Sequence, residues 1–261
     1  MRWCRFQVND KVSYGIVEGR QVQPVAGTPF GRHRKNGNPL PLNRVKLLIP
    51  VVPPTFYAAG VNYRDHVIRM AAITGREGQV PTAADVGYRA NNALIAQDEP
   101  IILPKDASER TQYEGELVVV IGKQGKHIPE DKVWDYILGY TIGNDFSERV
   151  WQAADRTFWR GKNADTFKPM GPWIETDVNL DTMRTLVRVS GKEVENFATN
   201  NMIFGIAHYM SRMTQYLTLY PGDVIWMGTD GVPQNVKHGD VIEVEITGIG
   251  VLRNPVIREG S

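Results

Sequence analysis

The sequence predicts an α+β protein that is rich in β-strands and carries a small β domain at its N-terminus. Short apolar runs bounded by Gly, Pro, Asn and Asp recur along the chain, whereas helical spacing is confined to a few segments. A proline-bounded passage at residues 47–54 separates the first strands from the rest. Helices set among runs of strands favour an α+β fold over a doubly wound one.

Residues 1–50 are predicted to form the small N-terminal β domain, and residues 51–261 the main domain. Turn signals in the first part separate three expected strands, at 2–6, 13–17 and 21–25. Residues 27–43 are rich in Gly, Pro, Asn and Arg, which predicts a loop.

The main domain is predicted to begin with a strand at 56–61 and to be mostly β thereafter. The later predicted strands are 100–103, 116–121, 137–143, 172–175, 184–190, 223–227 and 241–248. Helical spacing predicts helices at 131–137 and 201–210. Residues 66–87 begin with helical spacing and continue with glycines and a proline. That composition fits a mobile lid, and it fits a plain surface loop equally well.

The composition excludes several classes of protein. Of 261 residues, 42% are hydrophobic and 23% charged, and thirty basic side chains against twenty-nine acidic ones leave a net charge of +1. Without a basic run, we expect neither nucleic acid nor a membrane as a partner. Cys4 is the only cysteine, and the first residues lack the apolar core of a secretion signal, so we expect a reducing cytoplasm.

Two glutamates, Glu114 and Glu116, stand at the start of the apolar run 117–121. Side chains at i and i+2 of a strand share a face, with Cα atoms about 6.6 Å apart. Gly115 is expected to leave the opposite face bare. Two like charges about 4 Å apart in a partly buried site repel by roughly 4 kcal/mol, so the pair predicts a shared proton or a bound cation. Surface strands often carry such pairs, so the pair alone also fits a solvated surface.

Asp145 is the natural third ligand, because it follows another apolar run at a predicted strand end. Three carboxylates suit Mg²⁺ or Mn²⁺, which prefer oxygen ligands, and a zinc site is less expected without a Cys or His cluster. Lys162, in a loop of Gly, Asn and Asp, could anchor an anionic substrate or polarise a carbonyl. Thr229, after a predicted strand, could donate to a carboxylate.

Four runs, 113–122, 139–149, 162–173 and 221–229, closely resemble the fumarylacetoacetate hydrolase family. The resemblance covers about residues 55–258. It implies a mixed β-sandwich roll with flanking helices, usually in a homodimer. It also implies a metal, Mg²⁺ or Mn²⁺, held at the positions of Glu114, Glu116 and Asp145.

The same resemblance implies roles for further residues. Lys162 matches the family lysine, Gln152 the family glutamine and Thr229 the Gly-Thr turn. His66 ends a match to the family motif Asn-Tyr-x-Asp-His. In many small members that histidine activates a water, and a glutamate three residues later orients the histidine. The family's substrates are small acids such as acylpyruvates, oxaloacetate and hydroxydienedioates.

Three positions depart from the family pattern. Arg69 stands three residues after His66, where the family has glutamate. Arg69 either points into solvent or grips a second substrate carboxylate. Arg89 replaces a lysine of many members with a fork suited to a carboxylate, unless it lies on the surface. Asp230 adds a negative charge to the Gly-Thr turn.

The sequence therefore favours a metal-dependent C–C hydrolase of an acylpyruvate-type 2-keto acid, in the setting of aromatic compound catabolism. His66 and Lys162 are the predicted catalytic residues. The predicted substrate-binding residues are Arg69, Arg89, Gln152 and Thr229. The alternative is an isomerase, tautomerase or decarboxylase acting on oxaloacetate or a hydroxydienedioate, and Arg69 favours it. A third reading is a homologue that binds metal or metabolite without catalysis.

Overall fold

The computed structural model describes residues 1–74 and 79–261, and in them twenty strands, three α-helices and four short 3-10 helices are formed. The strands are β1 Arg2–Val8, β2 Lys11–Glu18, β3 Gln21–Gly27, β4 His33–Lys35, β5 Leu40–Pro41, β6 Lys46–Leu48, β7 Phe56–Ala59, β8 Val86–Tyr88, β9 Leu94–Ile95, β10 Ile101–Leu103, β11 Thr111–Gln112, β12 Gly115–Ile121, β13 Ile137–Asn144, β14 Ser147–Glu148, β15 Lys168–Glu175, β16 Arg184–Val189, β17 Lys192–Ala198, β18 Val224–Trp226, β19 Val241–Ile246 and β20 Gly250–Arg258.

The helices are few and short. The α-helices are α1 Arg64–Thr74, α2 Arg149–Ala154 and α3 Ile206–Thr214, and the 3-10 helices are Leu42–Arg44, Asn91–Ala93, Glu130–Tyr136 and Leu180–Thr182. None of the helices in the described residues has the length and apolarity needed to span a membrane. The predicted strand-rich α+β class is confirmed.

Two large sheets make up most of the molecule. The thirteen-stranded sheet runs β4-β3-β2-β1-β15-β13-β12-β18-β7-β8, with β5, β6 and β9 attached to it. The five-stranded sheet runs β10-β20-β19-β16-β17, and β11 pairs with β14. Strand β12 lies between β13 and β18 and is antiparallel to both. This central strand carries the glutamate pair at its start.

The apolar run of β12 is explained by burial on both of its faces. Leu117 and Val119 belong to one hydrophobic cluster with Val187 and Val244 of the five-stranded sheet. Val118, on the other face, packs in a second cluster that includes Met170 and Trp226. A strand covered on both faces is expected to be apolar throughout rather than alternating.

The first fifty residues extend the large sheet rather than forming a sheet of their own. Strand β1 pairs antiparallel with β15, placing Trp3 opposite Ile174. Trp3 and Val25 share a buried cluster with Met170 and Ile174. The boundary near residue 50 stays a prediction.

Each predicted strand overlaps an observed one, and the loop predicted at 27–43 contains the short strands β4 and β5. The predicted helix at 131–137 is a 3-10 helix, because Pro129 precedes it and β13 begins directly after it. Of the lid predicted at 66–87, residues 75–78 lie outside the described part of the chain. The mobility of this segment stays a prediction.

The predicted helix at 201–210 is wrong over its first half. Helix α3 begins only at Ile206, after Gly205. The backbone before it is held extended by Asn62, whose carbonyl accepts from Ile203 N at 2.7 Å and whose side chain accepts from Phe204 N at 3.0 Å. These tertiary hydrogen bonds override the local helical spacing.

Candidate active site

Three buried carboxylates meet where β12 begins and β13 ends. Glu114 directly precedes β12, Glu116 is its second residue, and Asp145 directly follows β13. One carboxylate oxygen of each lies within 4.8 Å of the others. The structure thus brings together the three residues that the sequence predicts as metal ligands.

Main-chain contacts explain why the three carboxylates converge. The amide of Asp145 donates to the carbonyl of Glu114 at 2.9 Å, and the amide of Glu114 donates to the side chain of Asn144 at 3.0 Å. The amide of Gly228, after β18, donates to Glu116 Oε2 at 2.9 Å. The ends of three neighbouring strands therefore define the site.

The face opposite the glutamates is not bare, as the sequence suggested, because the five-stranded sheet covers it. A Cβ built on Gly115 would lie 2.9 Å from Val244 Cγ1 and 3.0 Å from Val187 Cγ2. Any side chain at this position would push the two sheets apart. Gly115 is thus required by packing.

Four cationic side chains surround the carboxylates. Arg149 donates to Glu114 at 2.7 Å, and Lys162 donates both to Glu114 and, at 2.8 Å, to Asp145. Arg89 donates twice to Asp145, at 2.9 and 3.2 Å, and Lys168 Nζ lies 2.8 Å from the same carboxylate. All four cations are largely buried with their partners.

This environment gives the three carboxylates different proton affinities. Burial alone would raise the pKa of Glu114 and of Asp145, but the cations outweigh it. Arg149 and Lys162 lower the pKa of Glu114, and Arg89 and Lys162 hold that of Asp145 well below its usual range. Within the described residues, Glu116 has no cationic side chain as an ion-pair partner. Burial, Asp145 and Glu114 together raise its pKa to about 8.

The donor set fits a hard divalent cation. Three buried carboxylates offer oxygen ligands close enough to share one ion, and Mg²⁺ and Mn²⁺ prefer such ligands. The raised pKa of Glu116 marks a carboxylate that holds a proton until a further positive charge arrives. Glu114, Glu116 and Asp145 are the residues that would hold the ion.

His66 lies in the first turn of α1 and contacts Gly231, at the end of the segment Gly228–Gly231. Its Nδ1 lies 2.8 Å from the carbonyl oxygen of Gly231. Because a carbonyl only accepts, Nδ1 is the protonated nitrogen of the neutral imidazole, which leaves the lone pair on Nε2. Asn62, which begins the same motif, anchors the chain by donating to the carbonyl of Met227 at 3.0 Å.

Arg69 lies at the surface rather than over the carboxylates. Its side chain is 54% exposed, and its Nη2 is 3.7 Å from Asp65, one turn earlier in α1. Among the described residues, no carboxylate of the triad pairs with it. Its predicted grip on a substrate carboxylate stays a prediction.

The other predicted substrate-binding residues contact the triad or lie next to a residue that contacts it. Gln152 accepts a hydrogen bond from Arg149 Nη1 at 2.8 Å, and Arg149 in turn holds Glu114. Thr229 is buried next to Gly228, and its hydroxyl donates to the carbonyl of Asp230 at 3.1 Å. Arg89 contacts Asp145 instead of lying on the surface.

Sequence reasoning missed three charged residues of this region: Arg149, Lys168 and Glu195. Arg149 ends a family-like run and could have been chosen on that ground. Lys168 is fully buried and donates to the carbonyls of Phe146 and Phe167 at 2.8 and 2.9 Å, which nothing in its run signals. Glu195 is buried only because its strand is irregular.

A large groove lies elsewhere and contains none of the triad. It has a volume of about 1470 Å³ and is lined by residues of the N-terminal part of the chain, such as Leu42 and Leu47, and by Ile95, Pro172 and Trp173. Its two carboxylates, Asp98 and Glu99, pair with Arg253 and Lys46. The chemistry therefore belongs to the carboxylate triad.

Comparison with known proteins decides the family. A sequence model described as "Fumarylacetoacetate (FAA) hydrolase C-terminal" matches residues 55–257. This chain belongs to the fumarylacetoacetate hydrolase family. A second model, described as "Rv2993c-like, N-terminal", matches residues 1–50. The resemblance inferred from the four sequence runs is confirmed.

Two curated relatives show how far the similarity extends along the chain. Protein Rv2993c of Mycobacterium tuberculosis is 36% identical over all of this chain and all of its own length. A protein of Rattus norvegicus named oxaloacetate tautomerase Fahd2a, mitochondrial, is 34% identical, with 84% of this chain and 71% of the relative covered. The match thus spans most of both proteins.

Solved structures agree. A 2-hydroxyhepta-2,4-diene-1,7-dioate isomerase from Mycobacterium marinum superposes with a TM-score of 0.89 at 34% identity, over 100% of both chains. A maleylpyruvate hydrolase from Sphingobium sp. SYK-6, solved with manganese(II) and pyruvate, has a TM-score of 0.80 at 23% identity over 99% of both chains, and shows the shared fold. The family fold predicted from the sequence is confirmed, and relatives named as tautomerase, isomerase and hydrolase share it.

Proposed function

We propose that this chain is a divalent-metal-dependent tautomerase or isomerase that forms the enol of a small 2-keto acid and moves a proton within it. The observation that carries the proposal is a buried carboxylate triad beside a histidine that is fixed by a main-chain carbonyl, with no carboxylate partner among the described residues. The acylpyruvate C–C hydrolase that the sequence favours becomes the second candidate.

The charges of the site favour an acidic substrate. Four cationic side chains face three carboxylates, so a bound divalent ion would leave the region positive. A substrate carboxylate and a developing enolate both bring negative charge to such a site. Small 2-keto acids carry both groups.

When bound, the ion would supply a concentrated positive charge that stabilises negative charge developing on a keto oxygen. Lys162, with its ammonium between Glu114 and Asp145, is placed to bind the substrate's carboxylate or enolate oxygen. His66 has a free lone pair on Nε2 and can accept a proton from the substrate. We keep three further residues as proposed substrate contacts: Arg89, Gln152 and Thr229. For Arg89 this requires that its hydrogen bonds to Asp145 break first.

Proton transfer within the substrate needs fewer positioned groups than hydrolysis does. Hydrolysis needs a water that is held and deprotonated, and in the family motif a glutamate at position 69 would orient the histidine for it. Here that position holds Arg69, which faces Asp65. The relatives named oxaloacetate tautomerase and dienedioate isomerase, both 34% identical, support the same choice.

One observation keeps hydrolysis as the second candidate. The Nδ1 proton of His66 is fixed by Gly231, so the imidazole is oriented even without a carboxylate. An oriented imidazole can deprotonate water as well as a substrate carbon. The two candidates differ in their products rather than in their binding groups.

The enol absorbance of oxaloacetate, an acylpyruvate and a hydroxydienedioate, followed with Mg²⁺ or Mn²⁺, tests the proposal. We expect the enol signal to relax faster than with metal alone, with no new acid and no carbon dioxide. Appearance of a cleaved acid would instead support the hydrolase, and carbon dioxide a decarboxylase. Chelator and Glu116→Ala should each abolish the acceleration, whereas Glu109→Gln, at a side chain that is 86% exposed, should not.

We also propose that the chain acts as a homodimer. Large aromatic side chains are exposed on its surface, among them Trp159 at 65% and Tyr216 at 71%. Aromatic side chains are enriched in the cores of subunit interfaces. Light scattering should give a mass near twice the 29.3 kDa of one chain, and a mass near 29.3 kDa would rule the dimer out.

A further inference from the structure

Glu195 is a buried carboxylate that the proposed reaction does not use. The residue is 8% exposed, and its Oε1 has no hydrogen-bond partner in the part of the chain that the structure describes. A buried polar atom without a partner is unfavourable, so it marks a contact that the molecule can still form.

A β-bulge turns Glu195 toward the interior. In the pairing of β16 with β17, Glu195 lies opposite Val187 but Glu193 lies opposite Arg188, so Val194 is an extra residue. In a regular strand Glu193 and Glu195 would share a face, whereas here Glu193 is exposed and Glu195 buried. Bulges commonly redirect side chains beside active sites.

Glu195 lies against the same turn that holds His66. A Cβ built on Gly231 would be only 2.7 Å from the carboxyl carbon of Glu195. The carbonyl of Gly231 is the group that accepts the Nδ1 proton of His66, at 2.8 Å. Gly231 therefore lies against both Glu195 and His66, so a shift of the Glu195 carboxyl group would change the position of the imidazole.

The charged groups around Glu195 indicate that a cation would be its favourable partner. Burial, then Glu114 and Asp230, raise its pKa to about 8, while Arg69 and Arg149 act in the opposite direction. Its own negative charge in turn helps to raise the pKa of Tyr113. A cation in direct contact would return Glu195 to its ionised form at neutral pH.

Of the two cations, only Arg69 is available. Arg149 already donates to Gln112, Gln152 and Glu114, at 2.7, 2.8 and 2.7 Å. Among the described residues, Arg69 has one ion-pair partner, Asp65, at 3.7 Å on the exposed face of α1. Exposed pairs one helical turn apart are weak and are exchanged easily.

We propose that Arg69 turns from Asp65 to the unpaired oxygen of Glu195, and that this ion pair holds the Gly231 turn and, through it, His66. The role given to His66 rests on the proposed function. Arg69 and Glu195 are positioning residues, since neither needs to touch the reacting atoms.

A thermal unfolding cycle tests the ion pair without any substrate. At pH 8, Arg69→Gln should lower the unfolding midpoint by a few degrees in the wild-type chain and by less than one degree in the Glu195→Gln chain. Glu193→Gln, on the exposed side of the bulge, should leave the effect of Arg69→Gln unchanged. Equal effects of Arg69→Gln in both backgrounds, or loss of its effect in an Asp65→Asn chain instead, would overturn the pair.

Kinetics test the positioning role. Arg69→Gln and Glu195→Gln should each lower kcat about tenfold or more, with KM changed less than twofold for both a diacid and a monoacid. The double variant should be no slower than the slower single one, and Arg69→Lys should recover most of kcat. A rise in KM for the diacid alone would mean that Arg69 grips the substrate, and would overturn the proposal.

The two levels of inference can fail separately. If the wild-type chain accelerates no keto–enol exchange, the proposed function fails, whereas the thermal cycle still decides whether Arg69 and Glu195 pair. If the chain turns over and the cycle is additive, the function stands and the ion pair is refuted.

Discussion

Glu116 is the carboxylate of the triad without a cationic partner in the described part of the chain. The amide of Gly228 is its hydrogen-bond donor, and burial together with Asp145 and Glu114 raises its pKa to about 8. Below pH 8 it therefore holds a proton, which a metal ion must displace. This links metal affinity to pH.

Binding of Mn²⁺ at pH 7 should release close to one proton, and the release should vanish above pH 9. The affinity should accordingly rise with pH up to about 8 and then level off, since Glu116 is already ionised there. Calorimetry in two buffers of different ionisation heat measures the proton count. Binding without proton release at pH 7 would contradict a protonated Glu116.

Lys168 is a buried cation whose neighbours make it both structural and electrostatic. Burial lowers its pKa to about 7 against the opposing charge of Asp145, and its ammonium also donates to the carbonyls of Phe146 and Phe167. Removing it leaves two buried carbonyls without a donor, but it also removes positive charge beside a metal ligand. Loss of the hydrogen bonds should lower the stability of the fold, whereas loss of the positive charge should raise the affinity for the metal ion.

Lys168→Met should therefore destabilise the fold by about 3 kcal/mol and yet raise Mn²⁺ affinity by about tenfold. Denaturant unfolding and calorimetry measure the two effects on the same protein. Lys123→Met, at an exposed lysine, should change neither. A loss of both stability and affinity would mean that Lys168 mainly holds Asp145 in place.

The three carboxylates could be predicted from the sequence because each stands at the end of a strand that is recognisable from its apolar run. Glu195 could not, since its burial depends on one extra residue in β17, and an alternating pattern gives no sign of a bulge. Arg149 acts through Gln152, in the same helix, and through Gln112 and Glu114, which lie 37 and 35 positions earlier in the sequence. Contacts of that kind exist only after the sheets have paired.

At the scale of the element, β12 joins packing to chemistry. Gly115 lies between the two glutamates, and its missing side chain lets Val187 and Val244 approach the strand. The same strand end that packs against the second sheet also aims both carboxylates. A change in packing at Gly115 should therefore appear in metal binding.

Gly115→Ala should cost about 1–3 kcal/mol of stability through overpacking and should weaken Mn²⁺ binding, because the displaced backbone carries Glu114 and Glu116 with it. Gly31→Ala is the matched control: its Cβ would meet nothing nearer than 4.0 Å, so we expect a change within about 0.5 kcal/mol. Chemical denaturation and calorimetry report the two quantities. Unchanged metal affinity in a destabilised Gly115→Ala chain would separate packing from the site.

At the scale of the whole molecule, the N-terminal residues and the main domain share one core. Trp3 packs with Met170 and Ile174, and these pack in the cluster that contains Val118 of the strand bearing the glutamates. Local sequence patterns predicted the first strands but not their partner, since pairing of β1 with β15 joins residues more than 170 positions apart. The site is therefore supported from a part of the chain that contributes no ligand to it.

A chain reduced to residues 51–261 should unfold at a lower temperature than the full chain and should aggregate, because Ile174 and Glu175 at the end of β15 would lose their pairing with β1, and Met170 and Ile174 would lose the cover of Trp3. In the full chain, Trp3→Ala should cost about 3–5 kcal/mol, whereas Val52→Ala, at an exposed residue just after the first segment, should cost little. Thermal unfolding and light scattering measure both effects. A truncated chain that stays monodisperse and unfolds at the full-length temperature would show that the first fifty residues are an independent domain, and the shared core would then be of no consequence for stability.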